Sequence, residues 1–480
     1  MAKRILLLLL LFFLLLDLGY SFQQHLAQPL DGDMAWNLLP AAEVEPILES
    51  PFGLRALFGD EPYANPNRFF CHWTFREYLT QTPPYLQRWV GPIDSIYLAC
   101  ALAKLGIQLG LLVLLAGLIT GHLKFWRFDF LLAAALVTPF FQTNGYRTYM
   151  GIIDPSTTYT FFYALPCLVL LIYVLPFFWQ LFHGNTTLSA SWLKVLWLPL
   201  SVVVCLSGPL NPGVILTAVL LMGVHHLRGN WPAPKENGFF YRLQSLVNAV
   251  PGYWWTFLLP LSLLAGYSLW LGSYNSLSIA NQIPLVELYA KLPEGVYYQF
   301  TQKLGFPVLL VALGINVWLI STKGKGPERK KVLALFRWIG LFSLCYLLLL
   351  PLGGYRGYRP FVLRYDTIMP ITLSWFLLYG VSSSYLLNQL RQRSLWLYLG
   401  LLLAVVAIFT FADEAEFDNN LCERSALAAI AISPESVVKL KEDCPVLDWK
   451  TIRSAERSKD NARLLTIWGI TERDKLYYHP

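Results

Sequence analysis

Asp31, Gly32 and Asp33 stand a few residues beyond the first apolar run of the chain, at the head of a long polar stretch. Acidic side chains held against a membrane face point to chemistry or ion handling. A second unusual group comes late, where Gly353-Gly-Tyr-Arg356-Gly-Tyr-Arg359 is followed by Arg364. A carboxylate can take a proton from an incoming hydroxyl, and guanidinium groups can hold a phosphate in paired hydrogen bonds. A lipid-linked donor would need both. Its phosphate sits at headgroup level, its isoprenoid tail needs an apolar groove, and the phosphate leaves readily once its charge is stabilised.

The rest of the chain must bring these groups together. The 480 residues are 55% hydrophobic and 14% charged, with 17 Trp and 26 Tyr, a balance that a soluble domain does not need. Apolar stretches near the roughly 20 residues required to cross a bilayer recur along most of the sequence, so an all-α polytopic membrane protein is expected. A barrel would show alternation instead. The first run, Ile5 to Leu16, follows Lys3 and Arg4 and lacks a small-x-small cleavage site before Gln28, so it reads as an uncleaved signal anchor with a cytoplasmic N-terminus. Further candidates are 95–120, 128–143, 160–182, 190–206, 211–226, 254–273, 305–321, 333–351, 366–388 and 394–412, giving about eleven transmembrane helices.

Loop charge supports this topology. The loops assigned inside read His122-Leu-Lys-Phe-Trp-Arg127, the turn ending at Lys194, His225-His-Leu-Arg228 with Lys235, Lys323-Gly-Lys325 to Arg329-Lys-Lys331, and Arg391-Gln-Arg393, and all are basic. Of the segments assigned outside, only Gly353 to Asp366 is notably basic, which suggests that its arginines face an anion. The net charge of +7 thus follows mainly from topology, and no stretch is built for nucleic acid. The run Lys325-Gly-Pro-Glu-Arg-Lys-Lys331 lacks the context of a phosphate-binding loop and suits lipid headgroups.

Three pieces outside the spans are large enough to carry function. The first outside loop, 23–94, holds apolar residues at helical spacing over Trp36 to Leu48 and Thr74 to Val90, the second interrupted by Pro83-Pro84. In the 273–304 loop, Ile283 to Leu292 reads as a short amphipathic helix. From Ala412 the charge fraction jumps, which divides the chain into a transmembrane domain, 1–412, and a small soluble outside tail, 413–480, with helices expected over Ala426 to Leu440, broken near Pro434, and Ala455 to Leu465. Cys422 and Cys444 could close a loop there, remain free, or pair with Cys71. No His or Cys spacing matches a zinc site. The sequon Asn185-Thr-Thr187 falls on an inside loop and is discounted.

With these features in place, the chain resembles the GT-C superfamily of polytopic glycosyltransferases, which use polyprenyl-phosphate or pyrophosphate sugars. The resemblance rests on the overall topology and on Asp31-Gly-Asp33-Met-Ala-Trp-Asn37, where Asp33 followed by Ala35 looks like the family's acidic motif after the first span. It implies Asp33 as catalytic base, with Asp31 as neighbour or substitute, and Asp154, in Tyr149-Met-Gly-Ile-Ile-Asp154-Pro-Ser-Thr, as a second acidic group in the next outside loop. It maps the donor-phosphate clamp to Arg356, Arg359 or Arg364. It further implies inverting transfer of a sugar to a hydroxyl on a glycan, lipid or protein acceptor, in the plasma (inner) membrane and in cell-envelope glycan synthesis. Two carboxylates near a phosphate could also hold a divalent cation such as Mg or Mn. Two departures stand out: Asp31-Gly-Asp33 is not an adjacent acidic pair, and the tail is small.

Plain structural readings compete. Asp31 and Asp33 could cap the following helix, Asp154 could serve the turn at Pro155, and the arginines could bind headgroups or pair with Asp366. Asp17 reads as a buried, paired residue near the outer end of the first span, Asp129 as a helix-end charge, and His25 and His72 as ordinary loop histidines. Two other functions also remain open, a secondary transporter and a non-catalytic flippase or assembly protein that grips a lipid-linked glycan. A transporter would favour breaks such as Ser207-Gly-Pro-Leu-Asn-Pro-Gly213 at mid-membrane depth and related halves, and no clear repeat is present.

Overall fold

The computed structural model describes residues 2–39, 44–185, 191–230, 239–279, 283–353, 359 and 361–480. Arg356, Lys235 and the two threonines of the discounted sequon lie outside them. The described residues form a mainly helical protein, with eight helices long and apolar enough to cross a membrane: Arg4–Leu26, Pro92–Thr120, Thr157–His183, Leu210–Asn230, Trp254–Ser273, Gly305–Lys323, Gly326–Gly353 and Gln392–Ala412. The other three expected segments are helical but fall outside that set. Phe128–Phe140 and Val195–Cys205 are short, and Met369–Gln389 carries many Ser, Thr and Tyr residues.

Helix α1, Ala2–Leu26, runs a full turn past the expected start of the first loop, because Gln24 and His25 find partners on neighbouring elements: Gln24 donates to Asp413 and His25 meets Gln108 at 3.0 Å. Asp17 on this helix accepts from the Thr138 hydroxyl, as a paired residue should. In the first loop, Trp36 to Leu48 is not one helix but two short ones, Met34–Leu38 and Glu45–Glu49.

Helix α2, Phe69–Leu86, continues through Pro83 and Pro84, which the sequence reading took as an interruption. A proline at 83 cannot donate to the carbonyl of Leu79. The indole of Trp468 does so instead, at 2.8 Å, from the far end of the chain. Helix α3, Pro92–Thr120, starts with Gly91 as N-cap, Pro92 in the first turn and Asp94 beside the helix N-terminus, and stops at Gly121, whose φ of +77° suits glycine.

Inside the bundle, Gly380 lies against Ile119, where a side chain on Gly380 would collide with the isoleucine. Asn316 donates to Ser382 at 2.8 Å and accepts from the Tyr398 hydroxyl at 2.9 Å, so the polar groups of three helices satisfy one another within the apolar core. The segment expected to span from 366 begins its helix only at Met369, leaving Asp366 in the loop before it. The expected helix Ile283–Leu292 starts at Leu285 and extends to Thr301, passing through Pro293.

After Ala412 the chain forms helix α4, Leu421–Ile432, and helix α5, Lys459–Ile467. Residues 433–440, expected as the end of a helix, instead form strand β1, Val437–Lys439, which pairs in parallel with β2, Leu476–Tyr478. Cys422 and Cys444 are disulfide-bonded, whereas Cys71 is a buried free thiol against the Ser207 carbonyl. The tail is not a detached cap. Phe75 and Leu79 of α2, Tyr97 of α3, Leu427 of α4, Leu465 of α5 and Tyr477 share one apolar cluster at the end of the bundle. Burial of this kind contributes about 25 cal/mol per Å² of apolar area.

Candidate functional site

The carboxylate of Asp31 lies buried where three chain segments converge. Its Oδ1 accepts the Thr158 hydroxyl at 2.7 Å and the Asp33 amide at 3.2 Å, and its Oδ2 accepts the Thr158 amide at 3.1 Å. Burial pushes its pKa up, against the lowering effect of the Thr158 bonds. Asp31 therefore fastens the first loop to the segment after Asp154. With its oxygens so occupied, it is poorly placed to accept a proton from a substrate.

Asp33 differs. It occupies the N-cap position of Met34–Leu38, yet its side chain makes no capping bond. It is partly exposed, and Oδ1 accepts the Trp449 indole N–H at 3.2 Å while Oδ2 receives no donor among the described residues. Gly32 makes this arrangement possible, since a Cβ there would stand 2.5 Å from the backbone nitrogen of Trp449. Only glycine lets the tail come down so closely on the acidic turn.

Asp154 is buried four residues before Thr158. It accepts the Ser156 amide at 2.8 Å and the Tyr365 hydroxyl, the first bond shaping its own turn and the second reaching the late loop. Burial raises its pKa, while the nearby Arg147 pulls it back. The turn reading of Asp154 is thus met, and a cross-link to the arginine loop is added to it.

In that loop, Arg364 is paired with Asp366 through both Nε, at 3.1 Å, and Nη2. Asp366 also accepts the Thr367 amide at 2.8 Å, and burial pushes its carboxyl up to about 6 despite Arg359 beside it. Arg359 Nη1 stands 3.9 Å from Asp366, its Nη2 is 3.4 Å from the Tyr159 hydroxyl, and its guanidinium lies 5.7 Å from the centre of the Tyr159 ring. The Tyr159 ring in turn meets that of Trp449 at 6.0 Å. The sequence-derived groups are therefore joined in one line, Asp33 to Trp449 to Tyr159 to Arg359, with Arg364 committed to Asp366.

A cavity of about 230 Å³ opens beside this line, with Asp31, Ser156, Glu423, Asp448 and Trp449 in its wall. Glu423 closes its tail side. It accepts the Leu30 amide at 2.8 Å, the Tyr97 hydroxyl at 2.8 Å and the Leu447 amide at 3.0 Å, and burial pushes its pKa up to about 7.

Sequence reasoning missed Trp449, Tyr159, Tyr365 and Glu423. Tyr365 stood in plain view between Arg364 and Asp366, and Tyr159 five residues after Asp154, but an aromatic residue in so aromatic a chain carries little signal by itself. Asp129 behaves as a helix-end charge, bound by Arg127 at 2.9 Å and His122 at 3.2 Å. His72 is buried with neither ring nitrogen hydrogen-bonded among the described residues, and burial beside Arg68 lowers its pKa to about 3, so the ring is neutral.

No protein-family model and no curated protein matches the chain. Among solved structures it is similar to the archaeal oligosaccharyltransferase AglB from Archaeoglobus fulgidus, determined in complex with an inhibitory peptide and a dolichol-phosphate, with a TM-score of 0.38 and 10% identity over 89% of this chain. The matched part is 58% of that structure's chain, and a likeness of this degree carries no argument about the chemistry here.

Proposed function

We propose that the protein is a membrane glycosyltransferase that moves a sugar from a polyprenyl-phosphate or pyrophosphate carrier to an acceptor hydroxyl, at the end of the bundle that carries Asp33. Asp33 Oδ2 takes the hydroxyl proton as the acceptor oxygen bonds to the anomeric carbon. The bond from that carbon to the phosphate oxygen breaks, and the electron pair leaves with the phosphate. Attack opposite the leaving group inverts the anomeric centre. Arg359 stabilises the departing phosphate, Arg364 and Asp366 fix the loop that presents it, and Asp154 holds Tyr365 and the acceptor side of the turn.

The observation that carries this reading is the continuous contact from the open carboxylate oxygen of Asp33 through Trp449 and Tyr159 to Arg359. That contact supports reading Asp33 as the base and Arg359 as the phosphate-binding cation, because it joins the two groups. By the charge of the loops, that end of the bundle is extracytoplasmic, with the N-terminus cytoplasmic and the C-terminus outside. The protein reconstituted with polyprenyl-phosphate-linked sugars and glycan, lipid or peptide acceptors is expected to transfer sugar, and Arg359→Ala to raise the donor concentration at half-maximal rate. Donor binding without transfer, unaffected by Asp33→Asn, would favour a non-catalytic lipid-glycan carrier.

A further inference from the structure

The segment from Lys441 to Lys450 has no helix or strand of its own, yet its middle is tied down on several sides. Cys444 is held by the disulfide to Cys422 and by His479, whose Nε2 meets its carbonyl at 2.9 Å. The Val446 carbonyl accepts the Tyr477 hydroxyl at 2.8 Å, the Leu447 carbonyl accepts the Asn461 amide at 3.1 Å, and the Leu447 amide donates to Glu423 at 3.0 Å. Leu447 also turns at a φ of +49°, where residues other than glycine are uncommon. These ties fix the place of the two residues that follow, Asp448 and Trp449.

Both residues line the cavity of about 230 Å³. The Trp449 indole also donates to Asp33 Oδ1, so the cavity wall and the proposed base meet at one side chain. Pro29, Pro155 and Pro445 add rigid apolar surface to the wall, and Ser156, Asn419 and Asp448 set polar groups into it. Asp448 Oδ1 accepts the Lys450 amide at 3.2 Å, while Oδ2, 4.0 Å from Arg457, receives no hydrogen bond among the described residues. No lysine or arginine lines the cavity, and Asp31, Glu423 and Asp448 do, so a phosphate is disfavoured there. The volume is below the roughly 300 Å³ at which pockets for drug-sized ligands begin, which suits about one ring.

We infer that this cavity is the acceptor subsite and that it takes one uncharged hexose ring of a glycan. A hexose has apolar C–H faces and an edge of hydroxyls, which match an aromatic face set among a few short polar side chains. The ring lies against Trp449, one hydroxyl donates to Asp448 Oδ2, and the hydroxyl to be glycosylated stands beside Asp33. The inference rests on the proposed glycosyl transfer only in calling the ring an acceptor; the binding of sugar stands on the cavity itself.

The test is saturation-transfer difference NMR on the full-length protein in lipid nanodiscs, free of glycoside detergent, with the methyl glycosides of glucose, mannose and galactose as probes. At least one of them is expected to bind, with saturation strongest on the protons of one ring face, and the anionic methyl glucuronide is expected not to bind. Trp449→Ala is expected to weaken binding about tenfold or more, and Trp449→Phe to keep most of it, because the aromatic face carries the contact. Trp449 is half exposed, so neither change empties the core. Asp448→Ala, which removes the second contact and is also expected to weaken binding, serves if the first alanine variant does not fold. Binding of no neutral glycoside, binding that Trp449→Ala and Asp448→Ala leave unchanged, or glucuronide bound as tightly as the neutral probes would overturn the inference. Binding of a hexoside through Trp449 by a wild type that transfers no sugar refutes the glycosyltransferase reading and leaves the cavity as a glycan-binding site.

Discussion

Asp31 sits buried under three donors, whereas Arg359 leans on the Tyr159 ring and stands 3.9 Å from the nearest oxygen of Asp366. The acidic side of the site is locked by short hydrogen bonds from rigid turns. On the cationic side Arg364 is bound closely to Asp366, while Arg359 stands farther from the same carboxylate. The difference separates groups held by short hydrogen bonds from groups joined by longer contacts. Asp31 and Asp154 tie their turns together, and in the proposed transfer Asp33 and Arg359 are the groups that engage the substrate.

Removing an anchor from the locked side should have the largest effect. Asp154→Ala leaves the Tyr365 hydroxyl and the Ser156 amide without their acceptor, at an expected cost of about 1–3 kcal/mol for each. Thermal unfolding in detergent, compared with wild type, reads the loss. Next comes Gly32→Val, whose side chain would enter the space of Trp449 and Asp448 at an expected cost of about 1–3 kcal/mol. Equal melting of Gly32→Val and wild type would show that the tail does not bear on the acidic turn.

A smaller effect follows from Glu423, the joint between the first loop and the tail. Its folded-state pKa of about 7 lies above the ordinary 4.5, so the folded protein holds this proton more tightly than the unfolded chain does. The stability it lends is full below pH 4.5 and is lost as pH rises through about 7. Glu423→Gln should flatten that part of the stability curve, and an unchanged pH slope in the variant would contradict the assignment. Smallest is Trp468→Phe, which removes the donor to the Leu79 carbonyl and should lower stability by about 1 kcal/mol.

Much of the helical plan was legible because membrane spans are written in long apolar runs, and Arg127, Lys323 and Arg391 mark their ends at the basic loops. Local rules failed where distant partners intervened. Pro83 and Pro84 read as a break, but Trp468, far away in sequence, supplies the missing donor. Residues 437–439 read as helix, but the C-terminal strand claims them. In the site, Asp31, Asp33, Asp154 and Arg359 stood out as charges in an apolar chain. Their division of labour did not, because it depends on which oxygens already have donors. Trp449 was hidden for the same reason, since nothing in its own sequence neighbourhood says that Gly32 lies beneath it.

The central claim is that Asp33, and not Asp31, is the base. Its most direct test is the rate of sugar transfer at saturating donor by Asp33→Asn, which keeps an acceptor oxygen for the Trp449 indole but not the basicity. The account predicts a fall of about 10²- to 10⁴-fold with donor binding retained. Transfer at the wild-type rate in Asp33→Asn would contradict it.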